Sequence, residues 1–377
     1  MSSMWGNKLR CSIFGESHSQ AIGVVIDGLP AGFAIDFESL RQFQARRAPG
    51  KNRMSTARQE ADFANVLCGF HNGVTTGTPL CAVIENTNTR SSDYSQFQTL
   101  ARPGHADFTG FLRYHGFNDI RGGGHFSGRL TAPLVFAGGI CKQILESRGI
   151  TVGVHIASIA GVSDMPFDPV SLTPDTLLEP AKKRLAVLDD AAGALMETEI
   201  EKARLDTDSV GGVVECAILG MPAGVGSPMF DGIENRIASL VFGIPAVKGL
   251  EFGLGFAASG LRGSENNDPF VVEDGKIKTS SNHHGGILGG ISSGMPIIFR
   301  VAFKPTASIS KQQQTVDFVH GTPSDLVITG RHDPCIVPRG AVCVEAAAAL
   351  AVLDLLMEER GEIPAPHTEE AETISRG

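Results

Sequence analysis

The chain has 377 residues, 42% hydrophobic and 19% charged, with a formal net charge of −9. That balance excludes a disordered chain and suits one large domain or two closely joined ones. A net negative molecule repels polyanions, so arginines clustered within it serve a local purpose rather than general nucleic-acid binding.

In chain order, the first residues, Met1-Ser2-Ser3-Met4-Trp5-Gly6-Asn7-Lys8, hold no apolar run of the secretory kind. An apolar strand near 22–26 ends in Gly28-Leu29-Pro30-Ala31-Gly32, and Asp36 then precedes Phe37, Leu40 and Phe43 in a helical pattern over 37–47. Strands follow near 80–84 and 152–159, with helices over 131–148 and 180–193. A strand at 211–219 leads into Gly220-Met221-Pro222-Ala223-Gly224, then Asp231 and a helix over 232–241, with Glu234 placed as the capping-box partner of Asp231. A strand near 295–303 and a helix over 345–360 complete the pattern; Gly361 stops that helix, and 361–377 reads as a loose acidic tail. The most apolar segment, 346–357, is interrupted by Asp354 and reads as too short to cross a bilayer.

Strand, Gly-x-Pro-Ala-Gly turn and helix thus occur once in each half. The expectation is one duplicated unit over 1–360, of α+β class because long glycine-rich loops replace regular βαβ spacing. Seven scattered cysteines without a C-x-x-C pair read as small buried side chains, with no zinc site or disulfide scaffold. A cytoplasmic location, no membrane and no metal are expected.

Between Arg41 and Arg58 lie Arg46, Arg47, Lys51 and Arg53, with no acidic residue among them. Arg46 and Arg47 fall in the last turn of a predicted helix, where cations complement the dipole. Lys51, Arg53 and Arg58 follow a Pro-Gly break and suit a small anionic ligand, since guanidinium matches phosphate and carboxylate in a two-pronged way. Nucleic acid is the rival partner; the negative net charge and the lack of interleaved aromatic residues weigh against it.

Three turns combine histidine with charge: Gly15-Glu16-Ser17-His18-Ser19, Arg102-Pro103-Gly104-His105-Ala106-Asp107 and Arg331-His332-Asp333. Imidazole titrates near neutrality, so a shared acid–base site is expected. The Gly15 turn also looks like a degraded serine nucleophile elbow, but the base cannot be the adjacent His18. A Gly253-x-Gly255 match to a dinucleotide fingerprint opens no helix in the sequence. Glycine loops at 121–129 and 282–294, and Lys304-Pro305-Thr306-Ala307-Ser308, suit anions, one of them carried by a phosphorylated cofactor.

Taken in order, these motifs resemble those of the chorismate synthases from Gly6 to about Leu356. F-G-E-S-H stands at 14–18, D-G-x-P-A-G at 27–32, T-G-T-P at 76–79 and R-S-x-D-Y at 90–94. R-P-G-H-A-D at 102–107, R-G-G-G at 121–124, the G-G-I-L-G-G-I-S-S-G loop ending at 294, K-P-T at 304–306 and R-H-D-P-C at 331–335 complete the series. The resemblance implies helices sandwiched between two antiparallel sheets, a homotetramer, and elimination of phosphate from 5-enolpyruvylshikimate 3-phosphate to give chorismate. It implies reduced FMN as cofactor, with NADPH as an external reductant.

Position by position, the resemblance makes His18 an acid assisting phosphate departure, His105 a proton donor beside the flavin, and Asp333 part of the relay for the ring proton. Ser17 and Ser127 match hydroxyls near that relay. Arg47 and Arg53 match contacts to substrate or nicotinamide nucleotide, and Arg102 and Arg129 match arginines holding substrate anions. Flavin contacts fall on His125, Phe126, Ser127, Pro245, Ala246, Gly289, Lys304, Pro305, Thr306, Ala307, Ser308 and Arg331. The family usually has R-S-S-A-R-E where this chain has His125-Phe126-Ser127-Gly128-Arg129-Leu130. That difference implies weaker or altered FMN binding.

Overall fold

The computed structural model describes residues 3–48, 62–87, 96–328 and 332–360. Lys51, Arg53, Arg58, Arg331, the 90–94 motif and the 361–377 segment lie outside them.

Two five-stranded antiparallel sheets frame the molecule. One runs, in spatial order, Met4–Trp5, Arg10–Gly15, Ala21–Asp27, Leu80–Glu85, Asn65–Cys68. The other runs Val247–Phe252, Ile297–Phe303, Gly212–Leu219, Thr151–Ile159, Val162–Ser163. Without the two-residue edge strands, each half places its strands in the same spatial order: first, second, fourth, third. The helices repeat too. Phe37–Arg47 and Ile233–Val241 follow the second strand of their halves; Thr131–Glu146 and Val337–Arg360 follow the fourth.

The repeated Pro-Ala-Gly turn is held by the same bonds in each half. Thr75 Oγ1 donates to the Pro30 carbonyl at 2.5 Å and accepts from Phe33 N–H at 3.0 Å. Ser292 Oγ donates to the Pro222 carbonyl at 2.6 Å and accepts from Val225 N–H at 3.0 Å. The hydroxyls sit in matching contexts, Gly73-Val74-Thr75-Thr76-Gly77 and Gly290-Ile291-Ser292-Ser293-Gly294. A hydroxyl that satisfies two buried backbone groups fixes the turn's shape.

The helix 37–47 forms as read: Asp36 Oδ1 accepts from Glu38 and Ser39 N–H at 2.9 and 3.0 Å. Its counterpart differs. Gly232, not Asp231, is the N-cap of Ile233–Val241, no side chain caps it, and Asp231 instead meets Arg236 Nη1 at 3.3 Å. The expected helix at 180–193 is also corrected. Residues 179–182 form a short 3-10 turn, and the helix is Asp190–Leu205, capped by Asp189 accepting from Ala191 N–H at 2.9 Å. Gly193, where the expected span ended, lies in the first turn of the observed helix and packs against Val187, where a Cβ would come within 2.8 Å.

The final helix begins at Val337, earlier than the sequence pattern placed it, because proline is tolerated in a first helical turn and Pro338 sits there. The span Val337–Glu359 is therefore 23 residues, long and apolar enough by length and composition to cross a membrane, which corrects the reading of 346–357 as too short. The whole window is buried inside the fold. This helix and Thr131–Glu146 form the layer between the sheets, their backbones so close at Gly138 that a Cβ there would fall on Ala346. All seven cysteines are free; Cys11, Cys141, Cys216, Cys335 and Cys343 are buried, whereas Cys68 is exposed and Cys81 half-buried.

Candidate active site

A cavity of about 580 Å³ opens where loops from the two halves meet. Four helix ends reach it. Arg47 closes one helix, Phe242 to Ala246 follow another, and Thr131 and Arg339 stand in the first turns of the two long central helices. Helix N-termini carry partial positive charge, so the two long helices bias the cavity towards anions. Arg47, Arg102, Arg129, Lys248, Lys304 and Arg339 add full charges to its walls. Among the described residues that line it, Asp333 is the one carboxylate.

The arginines are built in rather than draped. Asp62 is buried and takes Arg47 on one carboxylate oxygen and Arg129 on the other. Arg47 also donates to Thr131 Oγ1 and to the Gly128 carbonyl, both at 3.0 Å. Arg129 donates to Asn86 Oδ1 at 3.0 Å and to the Glu85 carbonyl at 3.2 Å. Burial raises the Asp62 carboxyl's pKa, but the guanidiniums of Arg47 and Arg129 outweigh it and hold it below the usual range. Asp62 thus divides its two oxygens between two buried guanidiniums and fixes both beside the cavity.

Arg102 grips Asp107 with a two-pronged pair, Nε to Oδ2 at 2.8 Å and Nη2 to Oδ1 at 2.6 Å, while its guanidinium lies 4.4 Å from the Phe97 ring centroid. Its Nη1 reaches Ser308 Oγ at 3.4 Å. His105 Nδ1 is 2.8 Å from Asp107 Oδ1. Arg102 Nη2 also lies 3.0 Å from Nδ1, but its hydrogens are directed to Asp107, and the carboxylate oxygen, the nearer group, only accepts; Nδ1 therefore carries the proton and donates, and Nε2 faces away from the pair. Burial pushes the Asp107 carboxyl up, yet its bonds from Arg102 and His105 bring it far below the ordinary carboxylate range. Asp107 is thus a permanent anion behind His105.

Across the cavity floor run Gly122 and Gly123, with φ of 63° and 86°, the left-handed region. A Cβ on Gly122 would lie 2.6 Å from His18 Nε2 and 2.7 Å from Ser17 Oγ; one on Gly123 would lie 3.3 Å from His105 Nε2 and 3.8 Å from Ser127 Cβ. Glycine here lets two imidazoles and two serine side chains approach one backbone. Ser127 Oγ accepts from Arg129 N–H at 3.2 Å, and its residue caps the short turn that enters the helix.

His125 lines the cavity, but both its nitrogens are taken: Nδ1 lies 2.8 Å from the Gly15 carbonyl and Nε2 2.8 Å from Ser3 Oγ. A carbonyl only accepts, so Nδ1–H donates to Gly15 and Ser3 donates to Nε2. Phe126 packs on Gly110 and lies 6.1 Å from the Tyr114 ring. On the opposite wall, Lys304 N–H donates to the Ala246 carbonyl at 2.9 Å, and its ammonium reaches the Gly104 carbonyl. Burial first, and Lys248 second, lower the Lys304 pKa. Thr306 Oγ1 and His332 Nε2 are buried at the cavity without a hydrogen-bond partner, and so is Ser17 Oγ behind Gly122.

The cavity therefore gathers His18, His105, Asp333, Ser127, Arg47, Arg102, Arg129, His125, Phe126, Pro245, Ala246 and residues 304–308. Ser17 stands behind its wall, and Gly289 lies apart, between the strands Ile287–Leu288 and Ile291–Ser292. Arg53 and Arg331 lie outside the described residues. Sequence reasoning passed over Asp62, Lys248 and Arg339. His332 was visible within its motif, and Asp107 within R-P-G-H-A-D; Asp62, Lys248 and Arg339 carry no local signal, since their partners are distant in sequence.

Buried cations and imidazoles around one cavity suit acid–base chemistry on a small anionic molecule. The family model for chorismate synthase matches residues 9–357. The chorismate synthase of Dehalococcoides mccartyi is 46% identical over 364 residues, 97% of this chain and 99% of that protein. That of Thermococcus kodakarensis is 44% identical over 357 residues, 95% of this chain and 98% of the relative. A crystal structure of chorismate synthase superposes with a TM-score of 0.75 at 28% identity, covering 99% of this chain and 97% of the other. The chain belongs to the chorismate synthase family, lyases of the shikimate pathway.

Proposed function

We propose that this chain eliminates phosphate from 5-enolpyruvylshikimate 3-phosphate to give chorismate, with reduced FMN in the same cavity. The observation that carries the reading is the convergence of His18, His105 and Asp333 with Arg47, Arg102 and Arg129 around a single space. The residues present fit a flavin phosphate and ring. Unpartnered Thr306 Oγ1 and His332 Nε2 need a polar ligand, and the 304–308 loop, Pro245, Ala246, Phe126 and Ser127 offer the walls that would hold it. Reduced FMN, when bound, supplies electron density to the bond that breaks and takes it back, so the reaction has no net redox change.

The chain's own groups do the rest. Arg47, Arg102 and Arg129 hold the substrate's anionic groups in a site where charge is little screened by water, which eases loss of phosphate. His18 gives a proton to the departing phosphate. His105 holds or gives a proton at Nε2, since Nδ1 is committed to Asp107. Asp333 helps carry away the proton removed from the substrate ring. Ser17 is a poor nucleophile because its buried Oγ has no base to activate it, so the hydrolase alternative loses support.

Anaerobic incubation with substrate and photoreduced FMN tests the reading. Chorismate and phosphate should form in equal amounts; flavin binding without turnover would instead mark a binding protein. FMN should bind less tightly than in relatives with Arg-Ser in the loop, because His125 is spent on Ser3 and Gly15. A titration of H125R/F126S should show tighter binding, and no gain would refute this. NADPH serves as an external reductant in this reading. In this reading the chain works in the cytoplasm as a homotetramer, in which exposed side chains such as Phe117, Phe230 and Phe256 would find subunit contacts.

A further inference from the structure

Arg339 has no part in the roles above, yet it joins two of them. It stands in the first turn of Val337–Arg360 and lines the cavity. Its Nη1 donates to Asp333 Oδ2 at 2.6 Å, and its Nε donates to the main-chain carbonyl of Arg47 at 2.9 Å. Both side chains of the ion pair are largely withdrawn from water, at 17% and 12% exposure. The Arg47 carbonyl is one of the last in its helix, where it has no intrahelical donor. The contact therefore satisfies a helix end of the first half with a cation from the second. Arg47 is anchored in turn by Asp62, Thr131 and Gly128, so its backbone is a fixed post.

A carboxylate facing an anion-binding cavity needs a rigid cation behind it, or it will swing towards the arginines meant for substrate. A planar guanidinium with two acceptors at set angles supplies that; a lysine ammonium can keep one contact well but not the fork. We propose that Arg339 is a positioning residue, fixing the Asp333 carboxylate at the cavity wall and setting its spacing from the anion-holding Arg47. This rests on the reading of Asp333 as a proton carrier.

The experiment uses the full chain with R339Q, R339K, D333N and R339Q/D333N, in turnover, FMN titration and crystal structures. R339Q should lower kcat roughly ten- to a hundredfold, the loss expected for one charge-assisted contact. KM should move less, because Asp62 and Thr131 still hold the Arg47 guanidinium. R339K should recover part of the rate, and FMN affinity should be unchanged. The double variant should be no slower than D333N alone, because Arg339 acts through Asp333. Crystals of R339Q should show Asp333 turned from its position, and R339K should restore it.

Multiplying losses in the double variant, a defect confined to KM, or an unmoved Asp333 in R339Q would each overturn the proposal. Full kcat in D333N would overturn the role of Asp333 first and this inference with it. Full kcat in R339Q beside a crippled D333N would overturn this inference alone. If R339Q fails to fold, R339K still decides through kcat and the position of Asp333.

Discussion

The first two strands of each half are joined differently. In the first half, residues 16–20 link Arg10–Gly15 to Ala21–Asp27 and bring Ser17 and His18 to the cavity floor. In the second, residues 160–211 link Thr151–Ile159 to Gly212–Leu219 and carry the helix Asp190–Leu205. That long connection is fastened by its own charge cluster. Fully buried His155 lies 3.0 Å from Asp164 Oδ2 and 2.9 Å from Glu215 Oε2. Asp164 accepts from Leu188 and Asp189 N–H, and Glu215 accepts from Phe167 N–H. Here every polar group is answered from within. At the cavity, Thr306, His332 and Ser17 each keep an unanswered atom. The two connections thus differ in kind: the cluster around His155 is closed from within and holds structure, whereas the polar groups gathered at the cavity are left open to a ligand.

The sharpest break of that comparison is to exchange the expected losses. H105A should lower kcat by roughly 10²- to 10⁴-fold with the fold intact, as expected for a general acid–base group. H155Q should instead destabilise the fold by about 3–5 kcal/mol, because two buried carboxylates lose their cation. Steady-state rates and urea midpoints on both variants would decide; a folded H155Q with a crippled kcat would blur the distinction.

A smaller effect is pH dependence. Burial lowers the His155 pKa, but its bonds to Asp164 and Glu215 outweigh that and raise it above the ordinary imidazole value. The stabilisation is then fully present below about pH 6.5, the unfolded value, and lost as pH rises through the raised folded value. Urea midpoints between about pH 6 and 9 should fall for the natural chain and fall less for H155Q. Equal slopes would remove His155 as the cause.

The smallest effect tests the shared frame. T75V and S292A should each cost about 1–2 kcal/mol, since each hydroxyl satisfies matching backbone groups in its half. A cost in one half alone would show that the two turns carry unequal weight.

Much of the frame was legible in the sequence for reasons that can be named. Asp36 capped its helix as expected because the capping signal is local. The 190–205 helix was misplaced because Leu185, Val187 and Leu188 offered a helical-looking apolar spacing while the decisive signal was Asp189. The final helix was read too short because alanines and a first-turn proline gave no obvious start. At the site, His18, His105 and Asp333 were readable from charged glycine turns. Asp62 was not, since its meaning comes from Arg47 and Arg129, brought to it by the fold.

One feature of the last helix bears on how the chain is made. In its C-terminal half, buried Asp354 accepts from the N–H groups of Asn7 at 3.1 Å, Lys8 at 2.8 Å and Leu9 at 2.7 Å, and pairs with Arg236. Residues 7–9 are therefore moored to a residue made some 345 positions later. The sheet of the second half, against which that helix packs, cannot close its inner face until the helix emerges, and until then the nascent chain is a client for chaperones.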